Sequence, residues 1–116
     1  MSELGNVEVR EEDGIVVAWI AGELDLSNSP ATGDAIEAAL PASARSLVVD
    51  FSNLTFLDSS GVAMLFRLVR RLSDHRQQLH VVAPSGEAVG RVLEIVEFDR
   101  AAPVHPSLDV AMAAAS

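Results

Sequence analysis

The chain has 116 residues, of which 49% are hydrophobic, and this suits a single domain over residues 1–116 with a core of its own. Its net charge of −9 disfavours DNA, RNA or an anionic membrane as the main partner, because binding these polyanions needs a positive surface. The chain has no cysteine, no apolar run near the roughly 18 residues that span a bilayer and no signal-peptide pattern, so we expect a cytoplasmic protein without disulfides.

The first part of the chain predicts a hairpin followed by a helix. Residues 6–11, NVEVRE, alternate apolar and polar side chains, and residues 14–21, GIVVAWIA, are continuously apolar. This pattern indicates a hairpin whose second strand is buried. The next segment, GELDLSNSP, is predicted as a loop, with Ser29 as the N-cap and Pro30 as the first residue of a helix that ends near Leu40.

The rest of the chain alternates strands with helices. Strands are predicted at residues 46–52, 79–83 and near 102–104, and NLTFLDSS is predicted as a loop. Helices are predicted after that loop, after Pro84 and after Ser107, and the first of these has apolar side chains at helical spacing. These inward side chains are Val62, Leu65, Phe66, Val69 and Leu72. The order ββαβαβα, followed by βα, predicts an α/β fold with a mixed, mostly parallel sheet of four to five strands flanked by about four helices.

Patterns for catalysis and cofactor binding are weak. The histidines, His75, His80 and His105, have no i,i+4 partner and are interpreted as surface or edge residues. Ser59 and Ser60 have glycine only after them, unlike the serine of a nucleophile elbow, and PSGEAVG lacks the lysine of a P-loop. We therefore expect no catalytic residue, metal or cofactor, and a hydrolase using either serine is the least favoured alternative.

Residues 56–65, FLDSSGVAML, raise two interpretations of one junction. Asp58 and the serines after it are favoured N-cap residues, and the helix dipole favours an acid there. A serine in the first turn can also accept a phosphate, which adds about −1.5 to −2 charges that the helix N-terminus can hold. The segment is therefore a helix cap alone, or a cap that also carries a phosphorylation switch.

Three segments together resemble the STAS domain family, and within it the anti-sigma factor antagonists. They are GELD at residues 22–25, LVVDFSNL at 47–54 and TFLDSSGVAML at 55–65. The resemblance implies a small mixed sheet flanked by helices. It also implies that the unphosphorylated protein binds an anti-sigma factor that is a serine protein kinase, and thereby frees the sigma factor. Phosphorylation of Ser59 would switch this binding off, and a metal-dependent serine phosphatase would restore it.

The resemblance assigns roles residue by residue. Ser59 is the phosphorylation site, Asp25 and Asp58 are the acids beside it, and Ser60 shapes the loop and caps the helix. Met64, with Leu68, is interpreted as an apolar contact strip or, alternatively, as ordinary core. The whole partner-binding set is Asp25, Asp58, Ser59, Ser60, Gly61 and Met64.

Two points around this set remain open in the sequence. Arg67, Arg70 and Arg71 either pair with a partner's acids or form a solvated helix face. STAS domains also serve as subunits that brace the ATPase of lipid-transport complexes without phosphorylation, and the segment around Ser59 would then be a docking surface. After the serines, the family often has Gly-Leu-Gly-Val, whereas this chain has GVAM at residues 61–64.

Overall fold

The computed structural model describes residues 6–116, so residues 1–5 of the predicted domain lie outside the described residues. These residues form a single α/β domain, as predicted, with a main sheet, a smaller sheet and flanking helices. The strands are β1 (Val7–Glu12), β2 (Ile15–Ile20), β3 (Gly22–Leu24), β4 (Ser46–Asp50), β5 (Leu54–Leu57), β6 (Gln78–Val82) and β7 (Val104–His105). The helices are α1 (Ser29–Ala38), α2 (Ser59–Asp74), α3 (Ala88–Ile95) and α4 (Leu108–Ala115).

The main sheet has the order β1-β2-β4-β6-β7. β1 is antiparallel to β2, and every other neighbouring pair is parallel, which confirms the mixed, mostly parallel sheet. The central strands are mostly apolar because both faces of the sheet are covered. One face packs against α1, α2 and α3, and the other packs against α4. None of the helices in residues 6–116 combines the length and apolar character needed to cross a membrane.

Two segments that were predicted as loops form a second sheet. β3 and β5 pair in parallel, and Leu24 lies opposite Leu57 with both side chains buried. The strands escaped prediction because they have three and four residues, too few for a clear period of two. Because the pairing is parallel, the carboxyl ends of both strands lie side by side, and the segments that follow them form the candidate site.

The predicted helix boundaries are partly wrong. α1 has Asn28 as its N-cap, and Ser29 is instead a helical residue that is 1% exposed.

The predicted inner face of α2 included Phe66, but that side chain is 39% exposed and packs edge-on against Phe98, while Leu68 fills the core. Ser107 caps α4 as predicted, accepting a hydrogen bond from the Val110 N–H.

The interpretation of His80 as a surface or edge residue is wrong. Its ring is 4% exposed, and its Nδ1 lies 2.9 Å from Nε2 of His105 on the neighbouring strand. Burial, and then the nearby His105, lower the pKa of His80 below its ordinary value. His75 is exposed, as predicted, and its ring contacts the backbone carbonyl of Arg71.

Candidate functional site

The candidate site lies where β3 and β5 end side by side. Each strand ends in the sequence Leu-Asp-X-Ser, Leu24–Ser27 in one case and Leu57–Ser60 in the other. The Asp58 N–H donates to the Leu24 carbonyl at 3.2 Å, so the two chains remain joined as they leave the sheet. We call residues 25–28 the Leu26 loop and residues 58–60 the Ser59 loop, after the residue at the X position of each.

The Ser59 loop is a helix cap. The Asp58 carboxylate accepts hydrogen bonds from the backbone N–H groups of Ser60 at 2.9 Å and Gly61 at 3.2 Å. The Ser60 hydroxyl donates to the same oxygen at 2.5 Å. Ser59 is the first residue of α2, and its side chain is exposed. The cap therefore uses Asp58 and Ser60 and leaves the Ser59 hydroxyl at the surface.

These hydrogen bonds set the charge of Asp58. The bond from the Ser60 hydroxyl lowers the pKa of the carboxyl below its ordinary 3.8, and partial desolvation opposes that shift. The backbone N–H groups of Gly61, Ser60 and Leu26 lower the pKa further. Asp58 is consequently ionised at neutral pH, so one fixed negative charge lies next to the Ser59 hydroxyl.

The Leu26 loop holds its shape by hydrogen bonds of its own. The Asp25 carboxylate accepts from the Ser27 N–H at 2.9 Å and from the Ser27 hydroxyl at 2.5 Å. Asn28 accepts from the Asp25 N–H at 2.9 Å and donates to the Glu23 carbonyl at 2.8 Å. Leu26 is 74% exposed between these anchors. The structure thus brings Asp25 and Asp58 to adjacent strand ends.

A partly buried contact joins the first turns of α1 and α2. The Ser60 and Ser29 hydroxyl oxygens lie 3.2 Å apart, and Ser29 has little exposure to solvent. Gly61 is buried, and a side chain there would clash with Leu57 and press against Leu24. Gly61 therefore lets α2 begin directly against the ends of both strands, which is a packing role within the predicted site.

The structure favours the core alternative for Met64 and Leu68. They are 3% and 0% exposed, and Met64 lies against Gly33 of α1. Arg67 bonds Glu37 at 3.2 Å and Asp34 at 3.3 Å. Arg71 lies 3.9 Å from Glu37 as well, so two of the three arginines of the predicted helix face pair with acids of α1.

Nothing in the described site assembles a serine nucleophile or a metal centre. The base that activates a serine nucleophile is most often an imidazole, and here His80 bonds His105 while His75 contacts the Arg71 carbonyl. Within residues 6–116, no three histidine, aspartate or glutamate side chains are grouped closely enough to hold a metal ion. What the arrangement offers is an exposed hydroxyl, a fixed carboxylate and an exposed apolar side chain on two joined loops.

Sequence reasoning missed Leu26 and Ser29 as parts of this site. The signal for Leu26 was the repeat of Leu-Asp-X-Ser at the ends of two segments, LDLS and LDSS. Its meaning depends on β3 and β5 being paired, and both were predicted as loops. Ser29 was missed because it was assigned as the N-cap of α1, whereas it is a helical residue whose hydroxyl lies next to that of Ser60.

Comparisons with known proteins agree with this fold. A family model described as STAS domain matches residues 6–111. The anti-sigma-B factor antagonist of Staphylococcus aureus is 23% identical over 90 residues, which cover 78% of this chain and 82% of the relative. An anti-sigma factor antagonist structure from Mycobacterium paratuberculosis has a TM-score of 0.84 and 31% identity over 94% of this chain and 92% of that one. The phosphorylated form of the Bacillus cell fate determinant SpoIIAA has a TM-score of 0.71 and 20% identity, over 95% and 99% of the chains.

Proposed function

The chain belongs to the STAS domain family, and on that premise we propose that it is an anti-sigma factor antagonist. The unphosphorylated form binds an anti-sigma factor that is also a serine protein kinase, and thereby frees the sigma factor. Phosphorylation of Ser59 switches this binding off, and a serine phosphatase restores it, all in the cytoplasm. The observation that carries the proposal is the exposed Ser59 hydroxyl at the first residue of α2, directly beside the capping Asp58.

The local structure supports a switch that changes charge without unfolding the domain. The cap is made by Asp58 and Ser60, so a group added to the Ser59 oxygen displaces none of its hydrogen bonds. The positive end of the α2 dipole favours a phosphate there. Together with the Asp58 carboxylate, the phosphate makes the local charge more negative, from −1 to about −2.5 to −3. A partner surface fitted to a neutral hydroxyl would then have to desolvate an unpaired dianion, which is why binding is lost.

The group transfer itself needs no catalytic residue from this chain. The Ser59 oxygen forms a bond to the γ-phosphorus of ATP, the bond to the ADP oxygen breaks, and the hydroxyl proton goes to a base of the kinase. The requirement on the substrate is an accessible hydroxyl held in one position. Ser59 meets it because the next residues of α2 are fixed by the Asp58 cap.

The test is phosphorylation of the purified protein by the anti-sigma factor kinases encoded in the source genome, with ATP. We expect one added phosphate that maps to Ser59 by mass spectrometry. Ser59→Ala should fold, remain unlabelled and bind the kinase whether or not ATP is present. Ser27→Ala is the matched control, because Ser27 is the exposed serine of the other loop and should leave labelling unchanged.

Two outcomes would contradict the proposal. Undiminished labelling of Ser59→Ala would show that the acceptor is another residue. Equal binding of Ser59→Ala and Ser59→Asp to the ATPase subunit of a lipid-transport complex, with no binding to any kinase, would favour the bracing alternative.

A further inference from the structure

We propose that Leu26 is a specificity-determining contact, which inserts into an apolar pocket of the same anti-sigma factor that binds Ser59. The inference rests on the proposed function and adds the chemistry of the partner: an apolar pocket next to the site that receives the serine hydroxyl. Nothing in the family motif around Ser59 requires such a contact. It follows from the way the two loops are joined.

Leu26 and Ser59 occupy equivalent positions just beyond the ends of the paired strands β3 and β5. Leu24 is opposite Leu57 in the β3–β5 register, and each of the two residues follows its leucine by two positions. The loops remain joined beyond the strands, through the bond from the Asp58 N–H to the Leu24 carbonyl. A partner that contacts the Ser59 hydroxyl therefore meets the Leu26 side chain on the neighbouring loop.

The exposure of Leu26 is built into the loop. Single exposed apolar side chains are common on protein surfaces, and by themselves they indicate nothing. Here the hydrogen bonds of Asp25 and Asn28 fix the backbone on both sides of Leu26, so the side chain is held 74% exposed. A fixed backbone lowers the entropy that is lost on binding, which favours a specific contact.

An apolar pocket of the partner around Leu26 would also explain why phosphorylation of Ser59 abolishes binding. Burial of Leu26 in a partner removes water from the two loops, and the Ser59 oxygen lies within that region. A phosphate on Ser59 would then be placed next to apolar surface of the partner, where its desolvation cost is highest. Leu26 and Ser59 would act as one unit, in which the leucine supplies affinity and the serine removes it.

The experiment compares Leu26→Ala with Leu26→Met and with Ile95→Ala. Ile95 is the matched control because it is 75% exposed and is the last residue of α3, outside both loops. For each variant we would measure the Kd for the kinase that labels the wild-type protein, the kinetics of Ser59 phosphorylation, and the urea midpoint.

We expect Leu26→Ala to raise the Kd by roughly tenfold or more, because a buried leucine contributes substantially to affinity. The KM for phosphorylation should rise while kcat is unchanged, and the urea midpoint should stay the same. Leu26→Met should recover most of the affinity, because methionine also fills an apolar pocket. Ile95→Ala should match the wild type in every measurement.

The outcomes separate the two proposals. If the wild-type protein is bound and labelled but Leu26→Ala behaves identically, the Leu26 contact is overturned and the proposed function stands. If Leu26→Ala and Ile95→Ala weaken binding equally, the effect is general surface apolarity and the specific pocket is overturned. If no kinase of the source genome binds or labels the wild-type protein, both proposals fail together.

Discussion

The Ser59 loop and the Leu26 loop leave paired parallel strands with the same Leu-Asp-X-Ser sequence, yet only one of them begins a helix at once. In the Ser59 loop, the aspartate binds the first N–H groups of α2, and X is the first helical residue. In the Leu26 loop, the aspartate binds only Ser27 by its side chain, and α1 begins at Ser29 after a further residue, Asn28.

That difference shows what turns a common tetrapeptide into a candidate switch. Both loops hold the X residue outward by the same pair of bonds, from the N–H and the hydroxyl of the serine two positions after the aspartate. Of the two X residues, only Ser59 also lies in the first turn of a long helix, where the positive end of the helix dipole would stabilise a phosphate. The Leu26 loop has the same pair of hydrogen bonds, but its leucine at X exposes an apolar side chain instead of a hydroxyl.

The largest effect is expected when the sequence motif is moved from one loop to the other. Leu26→Ser combined with Ser59→Ala gives the Leu26 loop the sequence LDSS and removes the acceptor from α2. We expect complete loss of labelling, because residue 26 precedes α1 by three positions and lacks the helix N-terminus. Intact-mass spectrometry after kinase treatment measures how many phosphates the variant carries. A phosphate at position 26 would mean that the kinase recognises the tetrapeptide, and that the helix start is irrelevant.

The next largest effect concerns the closeness of α2 to the strand ends. Gly61→Ala should destabilise the fold by about 1–3 kcal/mol, because the new Cβ overlaps the buried Leu57 and presses on Leu24. Urea unfolding measures this change, and Ser59→Ala in the same turn should stay within about 0.5 kcal/mol of the wild type because its side chain is exposed. Equal stability of Gly61→Ala and the wild type would show that α2 can move away from the strands at little cost.

The main sheet and the Asp58 cap could be predicted from the sequence, but the β3–β5 pairing that joins the two loops could not. The main sheet was predictable because GIVVAWIA and LVV have the continuous apolar character of strands covered on both faces. The cap at Asp58 was predictable from local preferences. The β3–β5 pairing was not, because each strand pairs only with the other and is too short to show a periodicity of its own. The buried Ser29 and His80 were missed for a related reason. Ser29 was assigned as an N-cap and His80 to the surface or an edge, whereas tertiary packing buries each of them beside a polar partner.

A smaller effect separates the two aspartates. Asp58→Ala should lower the melting temperature by roughly 5 °C, because it removes the N-cap of a 16-residue helix. Asp25→Ala should lower it by roughly half as much, since that carboxylate accepts hydrogen bonds from Ser27 and from no N–H group of a helix. Thermal unfolding followed by circular dichroism compares them, with Asp58→Asn as a variant that keeps a capping oxygen. If Asp25→Ala is the more damaging change, the Leu26 loop is the structural anchor of the pair.

The smallest effect is a dependence on pH that arises from the charge of Asp58. The hydrogen bond from Ser60 holds its folded pKa below the ordinary 3.8, so between the two values the unfolded chain binds more protons than the folded one. The stabilisation is therefore fully present above pH 3.8 and is lost as the pH falls through the folded value. Asp58→Asn keeps the cap without the titration, so its stability relative to the wild type should improve as the pH falls through this window. His80 and the remaining carboxyl groups are common to both proteins and cancel in the difference between their urea midpoints. A difference that stays constant from pH 6 to pH 2.5 would show that the Ser59 loop holds Asp58 by geometry alone, without preferring its ionised form.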